Sequence, residues 1–249
     1  MYLFNQYTVW RRYMGMRSLC CVADLILPER CVLCARPLLG CRAGSYPVCR
    51  YCCNTLHPLQ GVRCALCGTV LLSEREVCLD CRERTHHFAL HRSAFAYDDQ
   101  TAELLRAFKA EATRSLGKLF GPALLGLYRQ HCTGALLVPV PGHPAATRRR
   151  GWDQAHELCL SMSRLAELEL NRALRRLRSR RQKELTFAER QTNLSGRIRV
   201  TADSDTLAGR SVALVDDVYT TGATLDACCQ ALQAAGVKQV FAFTVAMDL

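Results

Sequence analysis

The sequence predicts an α/β protein: a parallel sheet with helices on both faces, preceded by a small cysteine-rich module held together by metal. Three observations predict it. Twelve of the sixteen cysteines lie between Cys20 and Cys81. Beyond them, short apolar runs alternate with segments of helical period. One of those runs, "SVALVDD", ends on two adjacent acids and is followed at once by "VYTTGATL".

A chain of 249 residues has room for one large domain, or for a catalytic domain and a small module. The net charge is +11, with 29 Arg against 4 Lys. A generally basic solvated surface accounts for that balance; so does a phosphate or nucleic-acid ligand. No stretch approaches the ~20 apolar residues of a membrane helix. The opening "MYLFNQYTVWRR" places its arginines after the first apolar residues, the reverse of a secretory signal, which points to the cytoplasm. Residues 1–20 read as an N-terminal extension, with Met14 or Met16 serving equally well as a start.

Residues 21–85 carry four C-x2-C knuckles: Cys31/Cys34, Cys49/Cys52, Cys64/Cys67 and Cys78/Cys81. Two residues between thiolates let both sulfurs of a tight turn reach one tetrahedral ion, and two knuckles complete a four-thiolate zinc site. Pairing the knuckles in order gives two structural zinc centres, although the spacing alone also permits interleaved pairing. Cys41 and Cys53 are spare. The module holds few apolar residues, and metal binding of this kind contributes about 10–16 kcal/mol in isolated finger peptides. It reads as a double zinc ribbon, a scaffold rather than a catalytic centre.

From residue 90 to 249 the pattern changes. "HRSAFAY" is a strand, and "QTAELLRAFKAEATRSLGKLFGPALLGLYRQH" has helical period throughout. "GALLVPVP" is a short apolar strand, "WDQAHELCLSMSRLAEL" a helix, and "ALRRLR" a short strand. "SVALVDD" is a strand, "TLDACCQALQAAG" a helix ending at Gly236, and "VKQVFAFTVAM" the last strand. Strands apolar on both faces and separated by helices belong in a parallel sheet, whose ligands sit beyond the strands' carboxyl ends.

Asp216 and Asp217 lie at such an end. The amides of Thr220, Thr221, Gly222, Ala223 and Thr224 open the next helix, where backbone N–H groups and the helix dipole favour an anion. Threonine hydroxyls add donors, and glycine permits close approach. Paired carboxylates beside that cradle suit the cis-diol of a ribose, so the combination describes a ribose 5-phosphate. Neither G-x4-G-K-[ST] nor a strand followed by G-x-G-x-x-G occurs, which leaves a nucleotide-hydrolase loop and a dinucleotide site unsupported.

"VALVDDVYTTGATL" resembles the phosphoribosyl-pyrophosphate (PRPP) motif of type I phosphoribosyltransferases. With the knuckles, "AELLRAFK", "VPVPGHPAATRRRGWDQA" and "RQKELTFAERQTNL", the chain after residue 20 resembles the ComF family of competence-associated phosphoribosyltransferase-like proteins (ComFC and GntX type). That resemblance implies a type I phosphoribosyltransferase-like domain that binds PRPP with Mg²⁺. Asp216 and Asp217 would hold the ribose hydroxyls, and Thr220 to Thr224 the 5-phosphate. Arg148, Arg149 and Arg150 would lie near the pyrophosphate, and Arg181, Lys183 and Arg190 on a lid spanning 180–194. It implies a link to DNA uptake and competence proteins, with phosphoribosyl transfer to an unidentified acceptor. The alternatives are a PRPP sensor without catalysis and a single-stranded DNA adaptor. Trp152 and Asp153 replace the family's aromatic and amide in "RGWDQA". Lys109 falls where the family has a lysine near the sugar phosphate; on the residues alone it reads equally well as a surface helix lysine.

The run Arg172, Arg175, Arg176, Arg178, Arg180, Arg181 is a solvated face or lid, or else a track for single-stranded phosphates, although it lacks interleaved aromatics. His86, His87 and His91 read as linker or surface residues.

Overall fold

The computed structural model describes residues 28–38, 46–71, 76–109, 111–177, 196–201 and 206–248. The N-terminal extension, Cys41, the lid residues Arg181, Lys183 and Arg190, and Arg178 and Arg180 of the basic run lie outside the described residues.

The centre is a four-stranded sheet, all parallel, in the order β1-β6-β5-β2. Its strands are β1 Leu90–Ala96, β2 Leu136–Pro139, β5 Ser211–Tyr219 and β6 Gln239–Met247. A separate antiparallel pair joins β3 Leu174–Arg176 to β4 Ile198–Val200. Side chains of a strand alternate between faces, and the packing follows that alternation. Ala213, Val215, Phe243 and Val245 enter one core, shared with helices α3 Asp99–Phe108, α4 Gly117–His131 and α6 Gln154–Ala166. Val212, Leu214, Val240 and Ala242 enter a second core, shared with α7 Ala223–Ala234. Helices therefore cover both faces, as the doubly apolar strands require.

The ribbon module supplies two short helices, α1 Arg50–Asn54 and α2 Leu79–Glu83, each beginning directly after a cysteine. α5, Pro144–Arg150, starts with proline at its first turn and stops at Gly151, whose φ of 78° is the left-handed conformation that ends helices. Asp98 and Asp153 cap α3 and α6, accepting from the amides of Thr101 and His156.

The single helical run expected from residue 100 to 131 is in fact three pieces: α3, a 3-10 segment Glu111–Leu116, and α4. The break lets Phe108 pack edge-on against both Phe120 and Trp152, which one straight helix could not do. α4 then crosses α6 closely enough that a Cβ on Gly121 would collide with Ser161. The scattered cysteines Cys132, Cys159, Cys228 and Cys229 are buried free thiols of the core, their pKa pushed up by burial.

Candidate functional site

The knuckles pair in order. Cys31, Cys34, Cys49 and Cys52 bring four sulfurs within 4.8 Å of one another, and Cys64, Cys67, Cys78 and Cys81 do the same. The Sγ separations of 3.7 Å between Cys34 and Cys49, and 3.6 Å between Cys67 and Cys78, fit the edge of a tetrahedron. Zn–S bonds of about 2.3 Å would set that edge at about 3.8 Å. Backbone amides already point at the sulfurs: Cys49 N–H donates to Cys31 Sγ and Cys78 N–H to Cys64 Sγ. Burial pushes both thiols up, but amide donors outweigh it and bring Cys31 down to about 7 and Cys64 to about 6. The donor sets fit zinc. Cys53 stays outside its cluster, its thiol pushed up to about 11 by burial.

Asp216 and Asp217 stand near the carboxyl end of β5, between β6 and β2. Asp216 Oδ1 accepts from the Asp217 amide at 2.8 Å. Burial, then the neighbouring charge of Asp217, pushes the Asp216 carboxyl well above the usual range. Asp217 meets a cation instead: Lys109 Nζ lies 3.3 Å from its Oδ2. Lys109 closes α3 at the break in the helical run, so the kink is what delivers it to the acids.

The turn 220–222 then leads into α7, with Gly222 at φ 77° as N-cap. No side chain caps this helix, unlike α3, α5 and α6, so its first amides keep free donors. Thr220 is exposed, Thr221, Ala223 and Thr224 are half-buried, and Gly222 is buried. Gly222 is confined by close approach as well as by its dihedral. A Cβ there would sit 2.9 Å from Tyr219 Oη and 3.3 Å from His86 Cε1.

At the carboxyl end of β2 the "TRRRGWDQ" segment leaves four buried polar atoms without a partner in the described structure: Thr147 Oγ1, Arg150 Nε, Trp152 Nε1 and Gln154 Nε2. Orphaned donors of this kind are uncommon in a native interior and fit an anionic ligand. Arg148 and Arg149 are exposed on the last turn of α5. Asp153 is absorbed by structure, its two oxygens accepting from Gly142 N–H at 3.0 Å and His156 N–H at 3.0 Å. That bond closes the turn after β2, and explains an acid at that position without any ligand.

The histidines are the main correction. His91 is fully buried, and His86 keeps only 5% of its side chain exposed. His91 Nδ1 meets the Cys67 carbonyl at 2.7 Å, its Nε2 meets Thr244 Oγ1 at 2.9 Å, and its ring stacks on Tyr219. His86 Nδ1 meets Asp226 Oδ2 at 2.9 Å. Sequence reasoning missed Tyr219, Asp226 and both rings as members of the site. A groove where the first ribbon meets α3, lined in part by Leu33, Tyr51, Asp99 and Glu103, lies away from the acid pair.

Among the described residues, no helix is long and apolar enough to cross a membrane. A model of the double zinc ribbon domain matches residues 22–82. Among solved structures, a glutamine PRPP amidotransferase from B. subtilis aligns at 16% identity and a TM-score of 0.34, over 55% of this chain and 26% of its own. Competence protein F of Haemophilus influenzae is 28% identical over 185 residues, covering 71% of this chain and 81% of the relative. Competence protein ComFC of Bacillus subtilis is 30% identical over 209 residues, covering 80% of this chain and 83% of the relative. A match of that length runs far past the ribbon module into the sheet that follows, and the chain belongs to the ComFC family of competence proteins.

Proposed function

We propose that the chain binds PRPP with Mg²⁺ at the carboxyl end of β5 and transfers its phosphoribosyl group to an acceptor, in the service of DNA uptake. One observation carries the reading: an acid pair on the sheet's rim stands directly before a helix whose first amides are uncapped. Asp216 and Asp217 would accept from the ribose hydroxyls. The turn from Thr220 to Thr224 would surround the 5-phosphate, with Gly222 letting the backbone come close. The carboxylates also offer the hard oxygen donors that Mg²⁺ takes, and the ion, when bound, would neutralise charge building on the pyrophosphate. Lys109 would exchange its contact with Asp217 for the donor's anionic groups. Thr147, Arg150, Trp152 and Gln154 would find the partners they lack in the pyrophosphate. The acids would also stabilise positive charge on the sugar as its bond to pyrophosphate breaks. Residues 21–85 would serve as the scaffold, 90–249 as the catalytic unit, and Arg181, Lys183 and Arg190 as the lid.

A second reading draws on one observation. Arg175 and Arg199 stand directly opposite each other in the β3–β4 ladder, and both are exposed. Like charges so placed repel, and a polyanion such as single-stranded DNA would relieve the repulsion. Titration of the protein with PRPP and Mg²⁺ tests the main reading. Replacing either acid (Asp216→Asn, Asp217→Asn) should weaken binding by about 10- to 100-fold, the worth of a charged hydrogen bond. Unchanged affinity in both variants would refute the site. Pyrophosphate release over a panel of bases then divides enzyme from sensor. Single-strand affinity that falls steeply with salt, with a slope flattened by Arg175→Gln, would favour the adaptor.

A further inference from the structure

The two ribbons are not equivalent neighbours of the sheet. Cys31, Cys52 and Leu56 of the first share a core with α3, α4 and α6. Cys64, Cys67 and Cys81 of the second share the opposite core with Tyr219, Leu225 and α7. The first ribbon's reach toward α3 includes Thr55 Oγ1, which accepts from Gln100 Nε2 at 3.4 Å.

Two lines of contact run from the second ribbon to the turn before α7. Along the first, both oxygens of Asp226 are engaged by the segment that leaves the ribbon. His86 Nδ1 lies 2.9 Å from Oδ2, and the His87 amide donates to Oδ1 at 2.8 Å. A ring nitrogen facing a carboxylate carries the proton. The same segment is held further along α7, where Gln233 Nε2 donates to the His87 carbonyl and Gln230 meets its ring, each at 2.8 Å. Along the second line, the carbonyl of Cys67 fixes His91, and the His91 ring stacks on Tyr219 with centroids 4.1 Å apart. The two lines meet at Gly222, which Tyr219 Oη and His86 Cε1 crowd from opposite partners.

We infer that the second ribbon positions the Tyr219–Asp226 turn through His86, Asp226, His91 and Tyr219, so that the metal of the second centre, and not that of the first, sets the geometry of this turn. The residues are positioning residues: they touch the turn, and no contact with substrate is assigned to them. A zinc ion in the second centre fixes where Cys67 and Cys81 stand, and through them the carbonyl that holds His91 and the start of the segment that carries His86. Only the ligand-binding arm of the test rests on the PRPP reading.

The experiment uses the full zinc-loaded chain and hydrogen exchange at amides 220–226, each normalised to the β5 amides 212–215, so that global loosening cancels. Cys78→Ser should lose the second metal and speed exchange in the turn by about 10-fold or more relative to β5. Cys34→Ser should lose the first metal and leave that ratio within about 3-fold of the parent. His86→Ala should keep both metals and still speed exchange in the turn, and His86→Asn, which retains a donor near the Nδ1 position, should restore protection in part. An equal change in Cys34→Ser and Cys78→Ser would overturn the inference, as would an unchanged ratio in His86→Ala, which tests it even where Cys78→Ser fails to fold. In the binding arm, His86→Ala should weaken PRPP by about 10-fold; a loosened turn with full affinity would remove its functional half. A parent chain that does not bind PRPP refutes the ligand reading and leaves the exchange comparison standing.

Discussion

Thr244→Val tests the buried polar chain beneath the site. Thr244 pairs in register with Asp216 across the β5–β6 ladder, and with His91 and Ser93 it is fully buried. The chain has a direction. Only a protonated Nδ1 can stand 2.7 Å from the Cys67 carbonyl. Burial first, then the positive charges of Arg92, His86 and Arg63, depress the ring to about 3, so it is neutral and Nε2 is an acceptor. Thr244 Oγ1–H therefore faces Nε2 at 2.9 Å, with the Ala246 carbonyl as a second acceptor at 3.1 Å, and Ser93 Oγ–H donates to Thr244 Oγ1 at 2.6 Å. Valine keeps the shape and removes the central hydroxyl. Nε2 then retains only Ser93, at 3.3 Å, which can turn to it but leaves a longer bond. One buried partner is lost outright and one is half-recovered. An unsatisfied buried group costs about 1–3 kcal/mol, so the expected loss is about 2 kcal/mol. Urea unfolding of the zinc-saturated protein should show a lower midpoint with an unchanged slope. Ser93→Ala leaves the Thr244–His91 bond intact and should cost less than about 1 kcal/mol. A Thr244→Val loss below about 0.5 kcal/mol, or a larger loss for Ser93→Ala, would refute the assigned tautomer and the chain built on it.

Gly222→Ala places a methyl against Tyr219 and His86 at a φ of 77°. It should cost about 1–3 kcal/mol and weaken PRPP by more than about 10-fold; a calorimetric affinity equal to that of the parent would show that the turn is not the phosphate cradle. Asp216→Asn should separate binding from stability. A carboxyl raised in the folded state stabilises only below its unfolded value near pH 4, and that contribution is lost as pH rises toward the folded value. With Asp216 shifted upward, the uncharged variant should melt higher than the parent without Mg²⁺ at pH 8, and the gap should narrow toward pH 6. A lower melting temperature at pH 8 would mean that the acid is not held at a cost.

The knuckles and the strand ends were legible because their signals are local. Two residues between cysteines suffice to predict a metal corner, and "VALVDD" carries its own burial and its own termination. Simple against interleaved pairing was not legible, since it depends on how the two ribbons fold back, and the sulfur clusters decide it for pairing in order. His86 and His91 sit in "HHFALHR", a polar stretch with no periodic cue, and their partners Asp226 and Thr244 lie 140 and 153 residues away. Burial of that origin leaves no trace in a sequence window. The resemblance alone singled out Lys109; the residues around it do not show its contact with Asp217. Its segment has good helical period on both sides, so the kink that delivers it to Asp217 comes from packing of Phe108 between Phe120 and Trp152, a tertiary choice that overrides propensity. Asp153 departs from the family's amide, and its role as a helix cap accounts for an acid there without a ligand.

A parallel sheet of four strands has two edges and little to hide them with, and exposed edges invite pairing with other chains. Here β2 is covered from its own domain: Leu137 N–H donates to the Glu169 carbonyl and Asn171 N–H to the Leu137 carbonyl. The β1 edge is covered by the ribbon module. Leu59 N–H donates to the Ala94 carbonyl, His91 N–H to the Leu66 carbonyl, and Arg63 Nη1 to the Ser93 carbonyl. A cover made of knuckles has too small an apolar core to hold itself in place, so its rigidity comes from metal. His91, whose backbone N–H donates to the cover at Leu66, also stacks on the tyrosine under the glycine turn. Edge protection, metal binding and the shape of the glycine turn are therefore one mechanical problem solved at one strand, and a ribbon placed before β1 in sequence is already beside that turn in space.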